Sequence, residues 1–185
     1  MSSFKKQLYT IDDIYALPDG TRAELIDGQI YNMAPPGTRH QDMSMALSTV
    51  INNYIASSKG NCKVYAAPFA VFLNDDDANY VEPDISIICD KNKIDDDGCH
   101  GAPDFIIEIV SPGSRRMDYS MKQFKYCSAG VKEYWIVDPS KETITVYNYQ
   151  KDDAPLLYRF TDTIKVHIYD DLYIDFCKLS ESLNV

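Results

Sequence analysis

Two carboxylates stand in this chain where the surrounding residues read as buried β-strand. Asp84 follows Val81–Glu82–Pro83 and opens the run Ile85–Ser86–Ile87–Ile88. Glu108 lies inside Phe105–Ile106–Ile107–Glu108–Ile109–Val110, with apolar residues on both sides along the chain. Burying a bare carboxylate is costly unless a cation or strong donors compensate it. A strand that keeps an acid in such a place has something for it to hold, and a metal ion is the first candidate. Pro83 fits only the start or edge of a strand, so the Asp84 carboxylate belongs at a strand end. Taken alone, Asp84 also reads as a turn aspartate. Glu108 shares strand parity with Ile106 and Val110, which points to a face covered by a helix; an exposed strand end is its alternative.

The rest of the pattern is mixed α/β. Thr10–Ile11–Asp12–Asp13 resembles an N-cap and first turn, and Pro18–Asp19–Gly20 stops the short helix it opens. Arg22 to Met33 reads as a hairpin around Asp27–Gly28. Pro35–Pro36–Gly37 breaks the chain, and Thr38 opens the longest helix, its apolar face set by Met43, Ala46, Leu47, Val50 and Tyr54. Strands are expected at Lys63–Ala66, Phe69–Leu73, Asp84–Cys89 and Asp104–Val110. A helix follows from about Met117 to Ser128, with Met117, Met121, Phe124 and Ser128 at heptad-like spacing. Strands return at Tyr134–Val137, Thr143–Tyr149, Leu156–Phe160 and Ile164–Ile168, and a short helix is expected after Leu179. This order implies an α/β (α+β) fold, helices packed around a central mixed sheet, in one domain spanning residues 1–185.

Composition limits the function classes. No apolar run is long enough to span a membrane, and no basic segment precedes a long apolar one, so a soluble cytoplasmic protein is expected. The five cysteines are scattered without a CxxC pair, which excludes a zinc ribbon and reads as free thiols. A net charge of -10 opposes non-specific nucleic-acid binding. Its distribution is uneven, however. Between Ser111 and Lys132, Arg115, Arg116, Lys122, Lys125 and Lys132 face a single acid, Asp118, whereas Asp75–Asp76–Asp77 and Asp95–Asp96–Asp97 read as solvated loops.

Asp118, Lys122 and Tyr126 fall on one stripe of the second helix. The plain reading is a surface Asp–Lys pair; alternatively, the Lys122 stem lies along the sheet and its ammonium reaches the strand ends. Glu24, in Ala23–Glu24–Leu25–Ile26–Asp27–Gly28, reads as a strand residue. His40 reads as a first-turn surface residue. With His40, His100 and His167 as the histidines and no HxxxH or HxH spacing, a zinc hydrolase has no support.

The run Pro103–Asp104–Phe105–Ile106–Ile107–Glu108–Ile109–Val110–Ser111–Pro112–Gly113–Ser114 continues through Arg115, Arg116, Asp118, Lys122 and Tyr126 to Gly130 and Glu133–Tyr134–Trp135–Ile136–Val137–Asp138–Pro139. With Glu24–Leu25–Ile26–Asp27–Gly28, Pro35–Pro36–Gly37 and His40, and Glu82–Pro83–Asp84 in the same order, it resembles the Uma-type restriction endonuclease family, a bacterial branch of the PD-(D/E)xK nucleases. The likeness runs roughly from Thr10 to Phe176. It implies a restriction-endonuclease-like fold, a twisted mixed sheet flanked by helices, with the active site at one end of the central strands. Asp84 then matches the Asp of the Pro-Asp motif, Glu108 the second acid and Glu24 an additional acid of the hairpin. The superfamily lysine, two residues after the second acid, is Val110 here, and the resemblance transfers its role to Lys122.

The implied activity is a Mg²⁺- or Mn²⁺-dependent endonuclease hydrolysing DNA phosphodiesters. Asp84, Glu108 and the Ile109 carbonyl would be the metal ligands. Glu24 would hold the metal or its water, Lys122 would assist the attack, and Arg115, Arg116, Lys125 and His40 would contact substrate phosphates. The alternative is a catalytically silent nuclease-fold protein that binds nucleic acid or acts as an assembly module. An RNA or branched-DNA nuclease is a third reading, and a homodimer is expected because exposed sheet edges and duplex substrates both favour one.

Overall fold

The computed structural model describes residues 7–183, apart from positions 59, 75 and 152. Its centre is a six-stranded mixed sheet in the order β11-β10-β9-β8-β6-β3. These strands are β3 (Lys63–Ala66), β6 (Ile85–Ile88), β8 (Phe105–Ile109), β9 (Glu133–Asp138), β10 (Thr143–Asn148) and β11 (Leu156–Arg159). All pairs are antiparallel except β8 and β9, which run parallel. Parallel neighbours need a crossover. It consists of a π-helical turn, Met117–Lys122, running into α3, Gln123–Ala129. Gly130 ends α3 at φ 94°, a left-handed cap that favours glycine.

A second sheet, ordered β2-β1-β5-β4-β7, is built from β1 (Ala23–Ile26), β2 (Gln29–Asn32), β4 (Val71–Phe72), β5 (Tyr80–Val81) and β7 (Cys99–His100). The β1–β2 hairpin turns at Asp27 and Gly28, both with positive φ, as a tight primed turn requires. Short strands β12 (Thr163–Lys165) and β13 (Tyr173–Asp175) pair with each other. Helix α1 spans Ile11–Tyr15 behind the expected Thr10–Asp13 capping box.

β8 separates the two larger apolar clusters by its alternation. Phe105, Ile107 and Ile109 face Met43, Leu47, Ile51 and Ile55 of helix α2, Thr38–Ser57, together with Trp135, Val137 and Phe176. Ile106 and Val110 face the other way, toward Tyr126, Tyr134 and Ile136. Glu108 has the parity of this second face, the one covered by α3.

Three expectations change. The buried stripe of α2 advances in steps of four residues, Met43–Leu47–Ile51–Ile55, and Val50 is exposed while Ala46 and Tyr54 pack at its margin. The C-terminal helix α4 begins earlier, spanning Phe176–Ser182, because Asp175 caps it by accepting from Lys178 N–H. Cys62 and Cys89 are not free thiols but form a disulfide. They lie one residue beyond the Lys63↔Ile88 pair, so antiparallel pairing of β3 with β6 brings them opposite each other. Cys99, Cys127 and Cys177 remain free. Asp76 and Asp95 accept backbone N–H bonds within the acidic loops; Asp75 lies outside the described residues. No described helix is long and apolar enough to cross a membrane.

Candidate active site

Continuing the β6–β8 register one residue beyond Ile85↔Ile107 sets Asp84 opposite Glu108. Residues opposed in an antiparallel pair carry their side chains on the same face, with Cβ atoms about 4.5–5.5 Å apart. The two acids therefore converge. Ile109 N–H donates to Asp84 Oδ2 at 2.7 Å, and His40 Nε2 lies 3.0 Å from the same oxygen. Asp84 N–H lies 3.5 Å from Glu108 Oε2, the limit of a hydrogen bond.

The β1 strand delivers a third acid to the same place. Glu24 Oε1 accepts from the backbone N–H of Glu82, which anchors it beside Pro83–Asp84. Glu82 itself pairs with Arg22 and accepts from Tyr80 Oη at 2.8 Å.

The helical crossover supplies the cation. Lys122 Nζ donates to Glu24 Oε1 and to Glu108 Oε1, each at 2.9 Å, and Tyr126 Oη donates to Glu108 Oε1 at 2.6 Å. Asp118, Lys122 and Tyr126 are all buried, whereas Phe124 is exposed. The helix thus turns its polar stripe, not the Met117–Phe124 line, toward the sheet. The surface Asp–Lys pair is ruled out, and Lys122 reaches the strand ends. Val110 packs in the apolar cluster beside Tyr126, so the ammonium arrives from the helix.

Electrostatics follow from this crowding. Burial opposes charge on Lys122, but Glu108 and Glu24 outweigh it and hold its pKa well above the ordinary lysine value. Burial pushes Glu108 upward, against Lys122 and helped by the neighbouring acids Asp84, Asp118 and Glu24. Burial likewise lifts Asp118 to about 6, with Lys122 and a 2.7 Å bond from Ser114 Oγ opposing. Its Oδ1 is buried without a hydrogen-bond partner among the described residues. For His40, burial lowers the pKa, but the Asp84 bond prevails and raises it; the Ile109 carbonyl acts in the same direction.

A cleft of about 410 Å³ opens onto these groups. Glu24, Asp84, Glu108, Asp118 and Lys122 line it, with His40, the Tyr31–Gly37 segment and the Ser111–Ser114 turn. Asp84 Oδ2 and Glu108 Oε1 are already engaged. Asp84 Oδ1 accepts no bond among the described residues, and Glu108 Oε2 has only its long contact. Among the described residues no three His, Cys, Asp or Glu side chains form a set able to hold a metal ion.

The predicted phosphate contacts are scattered. Arg115 is bound to Asp138 and donates to Ser140 Oγ at 2.8 Å, and Lys125 pairs with Asp27. His40 enters the cleft on Asp84, not on the surface as its first-turn position implied. Arg116 is exposed. Tyr126 and Asp118 had no assigned role from sequence, although their i, i+4, i+8 spacing with Lys122 was the signal that groups them.

Residues 11–170 match the Uma2 family, described as "Putative restriction endonuclease". The chain belongs to this family. A solved structure of a putative nuclease belonging to DUF820, from Anabaena variabilis, superposes with a TM-score of 0.76 over 94% of this chain and 98% of its own, at 21% identity. At that identity the likeness establishes the fold, and it is restriction-endonuclease-like. An uncharacterized protein from Synechocystis sp. is 25% identical over 146 residues, covering 77% of this chain and 75% of its own. In this Uma2 chain Glu24 and Glu108 meet at Lys122, and Asp84 stands opposite Glu108 with His40 on its other side.

Proposed function

We propose that this chain is a Mg²⁺- or Mn²⁺-dependent endonuclease that hydrolyses DNA phosphodiester bonds. The observation that carries it is the apposition of Asp84 and Glu108 at a cleft floor, with Lys122 Nζ 2.9 Å from Glu108. Family membership supports nuclease chemistry in general.

The donor set fits a hard cation. Asp84 and Glu108 each keep one carboxylate oxygen free of a strong bond among the described residues, and both side chains lie on one face of the sheet. Asp84, Glu108 and the Ile109 carbonyl would hold the ion, leaving its other positions to water, the manner in which Mg²⁺ is commonly bound. When bound, such an ion polarises a phosphoryl oxygen and lowers the pKa of water. Lys122 stays cationic between two carboxylates, so it cannot take a proton. Its role is to stabilise negative charge developing on the phosphoryl oxygens. Tyr126 and Lys122 together fix Glu108 Oε1, while His40 and Ile109 N–H fix Asp84 Oδ2; both acids are thereby oriented before substrate arrives. Glu24 locks the ammonium in place.

The test is cleavage of DNA with Mg²⁺ or Mn²⁺ by the wild type and by Asp84→Ala and Glu108→Ala, with circular dichroism on each. Both variants should stay folded and lose metal-dependent cleavage. Full activity in either folded variant refutes the assignment. A silent binding module is the second reading, favoured by the net charge of -10 and by the internal pairing of Arg115 and Lys125. Calorimetry separates the two, since a site that takes up neither ion at millimolar levels cannot run this chemistry.

A further inference from the structure

We infer that the cleft takes a single strand of DNA, its scissile phosphate lowered to the acids and its bases lying on the apolar walls. This rests on the nuclease reading above and adds the form of the substrate.

The first observation is depth. Glu24, Glu108, Asp118 and Lys122 are 3%, 4%, 1% and 4% exposed and the Asp84 side chain 16%, so a reacting phosphate meets the acids only inside the cleft. It must descend. A duplex is stiff over about 150 base pairs, and its two backbones are held apart by paired bases. A single strand has the torsional freedom to turn one phosphate inward.

The second observation is charge. Duplex binding depends on Lys and Arg neutralising phosphates along the groove. Here the cations around the site are consumed internally: Arg22 by Glu82, Arg115 by Asp138, Lys125 by Asp27, Lys122 by Glu24 and Glu108. Among the described residues Arg39 and Arg116 are exposed beside cleft residues, too few for a rail along two strands.

The third observation is the chemistry of the walls. Tyr31 lines the cleft together with Met33, Pro35, Pro36, Pro112 and Met117, and brings an aromatic ring to its wall. An aromatic ring in such a wall binds nucleic acid through the face of an unpaired base, which a duplex keeps stacked on its neighbours. Tyr31 and Met117 are partly exposed, packed at the edge of the apolar cluster beneath the cleft.

The experiment is fluorescence anisotropy with the full chain carrying Asp84→Asn, which removes one negative charge and prevents turnover. The probes are a labelled single-stranded DNA of about 20 nucleotides, the same strand annealed to its complement, and an abasic strand of equal length. Stacking on even one or two residues predicts about tenfold tighter binding of the single strand than of the duplex, and loss of most of that preference without bases. Tyr31→Ala should weaken the single strand severalfold and leave the duplex unchanged; the abasic probe reads the same contact without altering the protein. Duplex bound as tightly as single strand overturns this inference and leaves the nuclease reading standing. Equal affinity for the abasic strand also overturns it. No binding of any probe, joined to no cleavage by the wild type, removes the nuclease reading itself.

Discussion

Lys122 carries a single positive charge into a cluster where Glu24, Glu108 and Asp118 are also buried. Its removal leaves carboxylates without their cation, and breaking a buried pair in that way costs about 3–5 kcal/mol. Lys122→Met should therefore lower stability in urea by that order as well as abolish cleavage, and adding Glu24→Gln should restore part of the loss. A Lys122→Met protein as stable as wild type means the ammonium is not buried among these acids. Asp118 gives the pH dependence. Its pKa rises from 3.8 unfolded to about 6 folded, so its stabilising contribution is complete below 3.8 and is lost as pH climbs through 6. The metal-free protein should melt higher at pH 5 than at pH 7. Glu133, lifted to about 7 by burial, acts with the same sign, so the diagnostic is that Asp118→Asn flattens the dependence without removing it. Asp84 and Glu108 were legible from sequence because an acid in a buried strand breaks the apolar pattern. His40 on Asp84 and Tyr126 on Glu108 were not, since each contact joins residues far apart in the chain through the sheet.

At the scale of elements, β-strand periodicity was read more faithfully than helix faces. Strands show the pattern because both faces of β8 and β9 are covered and their residues are uniformly apolar apart from the acids. The crossover helix misleads because its inward stripe is Asp118–Lys122–Tyr126, polar groups bonded to Ser114 and to Glu108, while Phe124 faces outward. A hydrophobic-period argument assigns such a helix the wrong face whenever the buried side carries paired polar groups. In α2 the discrepancy is smaller. The buried ridge advances by four, and Val50 falls outside it. The Cys62–Cys89 bridge, spanning a sequence separation of 27, joins the edge strand β3 to β6, the strand that begins beside Asp84. Chain-entropy reasoning gives a loop of that length about 3–4 kcal/mol of stabilisation. Adding reductant should lower the denaturation midpoint accordingly, and Cys62→Ser should reproduce the effect and abolish the response to reductant. An unchanged midpoint means the bridge does not hold this edge.

At the scale of the molecule, the fold concentrates negative charge where it is least well solvated. The chain carries a net charge of -10, and within the cleft Glu24, Asp84, Glu108 and Asp118 gather around one lysine, with His40 on Asp84. Solvent screens the acidic loops, but it reaches the cleft floor poorly, so repulsion there is relieved by protons or by a bound cation. Upward shifts at Glu108 and Asp118 are the proton form of that relief. The divalent ion proposed for this site would be the other form, and the two would compete. The folded state alone brings Asp84 and Glu108 together, so an ion that binds there stabilises it, by about 2.7 kcal/mol at a hundredfold excess over the dissociation constant. Mn²⁺ or Mg²⁺ should therefore raise the melting temperature by several degrees at pH 8, where protons compete least, and by less at pH 5. NaCl at matched ionic strength should not reproduce the rise, because it screens the surface loops without entering the site. Asp84→Asn should remove the shift while the variant itself melts cooperatively. A shift that survives Asp84→Asn, or that grows on acidification, places the ion somewhere other than between these two strands.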